Sequence, residues 1–347
     1  MLIDMCARPK RAPFKVSTTA RVLGFLRESE NYVSGQGISR ELGLSRVAIW
    51  KHVKTLQAQG CRIDACRHRG YRLVGVPDMP TEEAVSALLQ TKTLGRPVIF
   101  FREVDSTNRQ LSTRANEAAD GTALVADHQT AGRGRMGRAW FSPAGANVYL
   151  SILLRPQVSL AQISTLPLVA GCAVARTVNK LAADVPVKLK WPNDLHVNGK
   201  KLGGILCEMA AETDNVQHVV VGIGLNVNLR RSHLPAAIAR TATSLAIETR
   251  KTYARAEVVA ELLNQFEAAY NVWAVEGLEP FLPEIAAIDS LKGRFIRVEQ
   301  TGRRVVEGMA EGVAVDGTLS LRQADGTHIA VCSGDAHIVP QESGATA

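Results

Sequence analysis

Apolar residues recur at helical spacing along the first seventy-five positions. Val22, Leu23, Phe25 and Leu26 predict one helix, and Ile38 to Leu42 a second, shorter one. Gly43 supplies a tight turn and Ser45 an N-cap; a third helix then runs through Leu56 and stops before Gly60. Within it Ile49, Val53 and Leu56 fall at i, i+4 and i+7 and make one buried stripe, with Arg46 in the first turn and Lys51 and Lys54 on the far side. The following "CRIDACRHRGYRL" alternates in two short segments around Arg67–Gly70, a hairpin with a basic tip. Three short helices and a hairpin predict a winged helix-turn-helix, whose candidate DNA contacts are Ser45, Arg46, Trp50, Lys51, Lys54, Arg67 and Arg69.

The pattern changes at "VPDMP", where two prolines mark a boundary, and a helix is expected over Thr81–Leu89. Beyond it the periodicity is that of strands. "FFREV", "GTALVA" and "VYLSILL" read as buried strands, and "VKLKWPNDLHVNGKKLGGILCEM" as strand, turn, strand, Asn198-Gly199 hairpin and strand. "VVVGIGLNVNL" is another strand, and the tail from Gly293 is a chain of short strands separated by Gly-rich turns. The class is α+β. The expected division is 1–76, 77–290 and 291–347.

Charge sharpens this division. Residues 1–75 carry ten Arg and four Lys against five acids, a net +9, so the whole net charge of +8 arises there and the remaining body sums to −1. A basic surface kept for solubility would explain the number, but its coincidence with a helix-turn-helix and a basic wing points to DNA. No apolar run approaches the roughly 20 residues of a membrane span, and the first fifteen residues have no apolar core ahead of a cleavage site. Six cysteines, without a CxxC pair or ligand spacing, fit reduced thiols and no zinc or other metal site. A cytoplasmic protein without a membrane partner is expected.

The chemistry concentrates in Ala131–Arg138, "AGRGRMGR". Gly132, Gly134 and Gly137 match the dinucleotide fingerprint literally, but the following "RAWFSPAGANVYLSILL" is not helical and no Asp or Glu occurs from His128 through Ala183. No Gly-Lys-Ser/Thr follows, which excludes a Walker loop. A disordered Arg-Gly segment is disfavoured by the buried strands on both sides. An ordered loop remains, whose amides form an anion nest and whose guanidiniums clamp a phosphate or carboxylate.

Other segments supply polar groups. Asp105-Ser106-Thr107-Asn108 ends a strand ahead of a helix expected from Arg109; N-capping explains one of these side chains, while the set suits a neutral polar ligand group. Asp194 and Lys201 stand at the ends of adjacent strands and could face one pocket, with Gly203 and Gly204 allowing close approach. Asn226 interrupts an apolar run and requires a hydrogen-bonding partner.

"DSTN", "QTAGRGRMGRAWFSPAGANVYLS", "KWPNDL", "KLGGIL" and "GIGLNVN", in that order, resemble the biotin-protein ligases, and with the N-terminal module the chain resembles the bifunctional biotin ligase/repressors from about residue 17 onward. The resemblance implies a class II synthetase-like catalytic domain, a mixed sheet with helices on one side, followed by an SH3-like β-barrel. It implies biotin and MgATP as substrates, biotinoyl-5′-AMP as intermediate, and a lysine of a biotin carboxyl carrier protein as acceptor. It further implies operator DNA as partner and the adenylate as a corepressor that promotes a homodimer.

By motif position, Ser106, Thr107, Asn108 and Gln129 would hold the ureido ring, and Arg133, Gly134 and Arg135 the carboxylate and phosphate, with Gly204 beside them. Lys201 would contact carboxylate and α-phosphate, and Asp194 would orient or deprotonate the acceptor lysine. Trp140, Lys190 and Asn226 would serve the nucleotide. The resemblance also implies a basic residue in the last strand, where this chain offers only His337. Ligation of lipoate, which shares fold and chemistry, is the neighbouring alternative, as is a ligase without repressor activity.

Overall fold

The computed structural model describes residues 17–212, 215–300 and 305–339; the extension Met1–Lys15 lies outside them. The chain forms two compact units that divide between Val76 and Pro77.

The first unit holds α1 (Thr18–Arg27), α2 (Gly35–Leu42), α3 (Arg46–Ala58), β1 (Arg62–Cys66) and β2 (Gly70–Gly75). Each helix starts on a serine, Ser17, Ser34 or Ser45, whose hydroxyl accepts from the amide three residues on. Ile49, Val53 and Leu56 are buried as their spacing requires, against Val22, Leu23, Leu26 and Ile38. His52, given no role by the sequence, lies 2.9 Å from the Thr19 hydroxyl and ties α3 to α1. Strands β1 and β2 pair antiparallel as the wing, and Tyr71 also bridges to Val33. Gly70 is obligatory there, since a Cβ would sit 2.0 Å from the Val33 carbonyl oxygen.

The second unit opens with α4 (Glu82–Ser86), β3 (Val98–Val104), α5 (Thr107–Thr113), β4 (Ala123–Gln129) and β5 (Val148–Leu154). There follow α6 (Leu160–Ile163), α7 (Leu166–Leu181), β6 (Lys188–Lys190), β7 (Asp194–Val197), β8 (Lys200–Glu212) and β9 (Asn215–Leu225). After these come α8 (Leu245–Thr249), α9 (Arg255–Glu276) and α10 (Leu282–Ile288). The last strands are β10 (Phe295–Glu299), β11 (Val305–Val313), β12 (Leu319–Arg322), β13 (His328–Val331) and β14 (Asp335–Ile338).

Seven strands form one sheet in the order β3-β4-β5-β9-β8-β7-β6. Only β3 and β4 run parallel, because the chain crosses between them through α5. Every residue of β5 is buried. Its even positions Val148, Leu150, Ile152 and Leu154 join the main core with α7 and α9, while Leu153 packs with Leu111 of α5, Leu124 and Val220 in a smaller cluster. The long helices thus cover one face, whereas the expectation of helices on one side needs amending for α5, which covers part of the other. The rest of that second face is free for a site.

The remaining five strands form an antiparallel sheet, β13-β12-β11-β10-β14, whose inward residues belong to the same core as the larger sheet. Leu160–Leu181, which spans α6 and α7, is a 22-residue helical stretch apolar enough by composition to cross a membrane. It is a core stretch, 72% buried over its most apolar part and packed against β8 and α9.

Candidate active site

The second face of the sheet carries a floor of glycines. Gly222 and Gly224 of β9 pair with Leu206 and Gly204 of β8 on one side and with Ser151 and Tyr149 of β5 on the other. A Cβ on Gly222 would lie 2.1 Å from Asn108 Oδ1, and one on Gly224 would lie 2.6 Å from the Trp140 ring. Bare backbone at these two positions lets a side chain from α5 and one from the loop lie flat on the sheet. A cleft of about 950 Å3 opens over this floor, within the size range of small-molecule sites.

At one end stand the buried Ser106, Thr107, Asn108 and Gln129. Helix α5 begins two residues earlier than the sequence suggests, with Ser106 as N-cap residue but without a side-chain cap bond, so its hydroxyl is not used as a cap. Gln129 Oε1 accepts from Thr107 N at 2.8 Å and from its hydroxyl at 3.1 Å, while Gln129 Nε2 donates to Ser142 Oγ at 2.9 Å. Ser151 Oγ lies 2.8 Å from the Thr107 hydroxyl and 2.6 Å from Asn108 Oδ1, and Asn108 Nδ2 donates to Glu208 Oε2 at 2.9 Å. Ser151, Ser142 and Glu208 escaped the sequence reading; they hold the recognised residues in place. Asp105 turns back to its own helix, accepting from Gln110 Nε2, which holds its carboxyl below the usual range.

The arginine-glycine segment is an ordered loop along the cleft. Ala131 N donates to Asp105 O, Gly134 N to Arg138 O and Trp140 N to Gly132 O, with a single turn of 3-10 helix at Arg135–Gly137. The Gly134 amide is therefore used within the loop, which narrows the expected anion nest. Gly132 has no room for a Cβ, which would lie 2.5 Å from Ser142 Oγ, and Gly137 adopts φ +74. The three arginines reach three parts of the chain. Arg133 pairs with Glu208 at 3.1 Å, Arg135 donates to Asn193 Oδ1 at 3.1 Å and to Gly334 O at 3.4 Å, and Arg138 pairs with Asp335 at 2.5 Å. Burial lowers the Arg135 guanidinium from its ordinary value against the opposing pull of Asp194 and Asp335.

Opposite the loop, Lys201 Nζ lies 2.7 Å from Asp194 Oδ1. Strand pairing sets Asp194 against Gly204, where a Cβ would sit 3.3 Å from both the carboxylate and Lys201 Cε; Gly203 instead makes room for the Gly224 carbonyl of the next strand. Lys201 Nζ also stands 5.4 Å over the Trp140 ring. Trp140 Nε1 and His196 Nε2 are buried without a hydrogen-bond partner among the described residues. Lys190 lines the same end, its ammonium lowered from the ordinary value by burial. Asn226 also lines the cleft, but its side chain is already satisfied, bonding Asn147 at 3.2 Å and Thr243 O at 2.9 Å. Asp335 and His337 of β14, with Gly334 just before it, also line the cleft. Burial would raise the Asp335 carboxyl, yet the bond to Arg138 and its charge outweigh this and hold it below the usual range.

Three comparisons bear on this arrangement. The Biotin/lipoate A/B protein ligase family matches residues 100–226, an HTH domain residues 18–72 and the Biotin protein ligase C terminal domain residues 293–338. The Bifunctional ligase/repressor BirA of Bacillus subtilis is 40% identical over 257 residues, 74% of this chain and 79% of the relative; that of Escherichia coli is 33% identical over 87% and 92%. The chain belongs to the biotin-protein ligase family. Within that family, the solved biotin protein ligase from Aquifex aeolicus in complex with biotin and ATP matches at 32% identity and a TM-score of 0.62, covering 70% of this chain and 99% of its own. The biotin-protein ligase assignment accounts for a cleft that puts polar neutral groups at one end and cations along its length.

In the first unit the candidate DNA contacts Ser45, Arg46, Trp50, Lys51, Lys54, Arg67 and Arg69 are all exposed. The Ser45 hydroxyl caps α3, accepting from Ala48 N, and the Arg69 guanidinium lies 4.4 Å over the Tyr32 ring.

Proposed function

We propose that this chain is an ATP-dependent biotin-protein ligase and a DNA-binding repressor, with the cleft residues in the following roles. Ser106, Thr107, Asn108 and Gln129 hold the ureido ring through their donors and acceptors. Arg133, Gly134 and Arg135 line the biotin carboxylate and α-phosphate, with Gly204 leaving room beside Lys201. A biotin carboxylate oxygen attacks the α-phosphorus of ATP, pyrophosphate leaves, and biotinoyl-5′-AMP forms. Negative charge crowds at that phosphorus, and fixed cations aimed at it lower the barrier. Lys201 shares its charge between the two reacting groups. A carrier lysine nitrogen then attacks the acyl carbon and AMP leaves, with Asp194 orienting the amine and accepting its proton. Trp140, with its unpartnered indole N–H, and Lys190 contact the nucleotide, while Asn226 braces that end.

Magnesium, when bound with ATP, offsets the phosphate charge. The ion would enter with the nucleotide, held mainly by its phosphates. The observation that carries the reading is the meeting of the Arg135 loop with the Lys201–Asp194 pair over the glycine floor. Biotin-dependent exchange of pyrophosphate into ATP tests it; well-folded protein without such exchange overturns it. Lipoate ligases share the family profile, but the donor and acceptor set at residues 106–108 suits a ureido ring, and a competition between the two acids distinguishes them.

The acceptor is the lysine of a biotin carboxyl carrier protein, and the cytoplasm, where ATP is supplied, is the proposed compartment. Repression requires the adenylate to bind a dimerising state more tightly than the monomer, since equal affinity shifts nothing. Adenylate-dependent DNA binding at a stated salt, compared with a chain lacking residues 1–76, tests this half.

A further inference from the structure

The inward face of α3 is explained by the core; its outward face is not. Among the described residues of the first unit, three large apolar side chains are exposed, Val47 at 64%, Trp50 at 51% and Val74 at 46%. The first two are one helical turn apart on α3, on the side away from Ile49, Val53 and Leu56. Around them stand the exposed cations Arg46, Lys51 and Lys54. The wing closes the other side of a concavity of about 710 Å3, lined by Arg46, Val47, Trp50, Arg67, His68 and Tyr71.

An apolar strip bordered by positive charge complements one surface in particular. The floor of a DNA major groove presents thymine 5-methyl groups between two rows of phosphates, and apolar side chains read those methyls while Arg and Lys take the phosphates. A second copy of the module is a poor occupant of the strip, because the first seventy-five residues carry fourteen Lys and Arg against five acids and two such surfaces repel. We infer that Val47 and Trp50 form a reader of thymine methyl groups, so that this module selects its DNA partly by apolar contact. The inference rests on the repressor reading and adds the chemistry of its specificity. Trp50 suits the task because its ring has few rotamers to lose on contact.

The test uses the full chain with biotin and ATP, and a random 25-base-pair duplex pool from which a bound sequence is selected. The selected duplex is then remade with deoxyuridine at each thymine in turn, which removes only the methyl. One or two positions are expected to lose about fourfold in affinity each, the value of burying one methyl-sized group. In the double variant Val47→Ala with Trp50→Ala the thymine and deoxyuridine duplexes should bind alike, with the salt dependence retained; Trp50→Phe alone should keep part of the difference. Circular dichroism verifies that the variants fold. Equal binding of thymine and deoxyuridine duplexes by the unaltered protein overturns the inference while leaving repression intact. Selection of no sequence at all overturns both.

Discussion

Arg138 in the cationic loop and Asp335 in the final strand lie 2.5 Å apart, although 197 positions separate them in the chain. The carboxylate lies in the cleft proposed to hold anions and fixes the guanidinium beside its proposed nucleotide end. Asp335→Asn keeps an acceptor but removes the charge. It is expected to raise the KM for ATP about threefold to tenfold in pyrophosphate exchange and leave the KM for biotin unchanged, with Asp335→Glu recovering most of the loss, in line with the modest worth of a half-exposed pair.

Lys201 and Asp194 touch, yet their proposed roles fall in different steps. Lys201→Ala should lower the rate of adenylate formation by about a hundredfold or more, as loss of one fixed charge-stabilising group does. Asp194→Ala should spare more of that step than of transfer. Single-turnover assays, one following pyrophosphate release and one following labelling of a carrier lysine, separate them.

Gly222 tests the glycine floor. An alanine methyl there would meet Asn108 Oδ1 at 2.1 Å and push the amide off Ser151 and Glu208. Gly222→Ala should raise the KM for biotin about tenfold or more. Gly137→Ala has open space around it but φ +74, so it should cost about 1 kcal/mol of stability through backbone strain, measured by denaturant unfolding.

Arg255 is 1% exposed and bonds Asp78 at 3.0 Å and Asp127 at 2.7 Å, joining the start of α9 to the end of β4 and to the first residues of the second unit. Arg255→Leu leaves the inward Asp127 without its cation and should destabilise the second unit by about 3 kcal/mol or more in urea.

His196 gives a pH signature. Burial, then the charge of Lys190, pushes its imidazole down to about 4. The unfolded chain takes up that proton near pH 6.5, so between these values the unfolded state holds more protons and stability falls as pH drops, by about 1.4 kcal/mol per unit. Unfolding measured at pH 7 and pH 5 should show about 2 kcal/mol more loss in the unaltered protein than in His196→Asn.

Local order was legible in the chain. The stripe Ile49, Val53, Leu56 lies in the core, Ser45 caps its helix, and Asn198-Gly199 turns β7 into β8 with both residues at positive φ. Such features depend on side chains a few positions apart, which periodicity and turn chemistry report directly. The arginine-glycine segment was legible as an ordered loop, because buried strands flank it on both sides.

Only the tertiary structure decided which groups support that loop. Ser151 meets Asn108 across 43 positions, Arg135 meets Asn193 across 58 and Gly334 across 199, and the glycines of β9 become a floor only once β8 and β5 are in register beside them. Strand register and sheet order bring these atoms within hydrogen-bonding distance, and no local pattern encodes either. The chain thus specified which chemistry it carries, while packing of the sheet determined where each charge points.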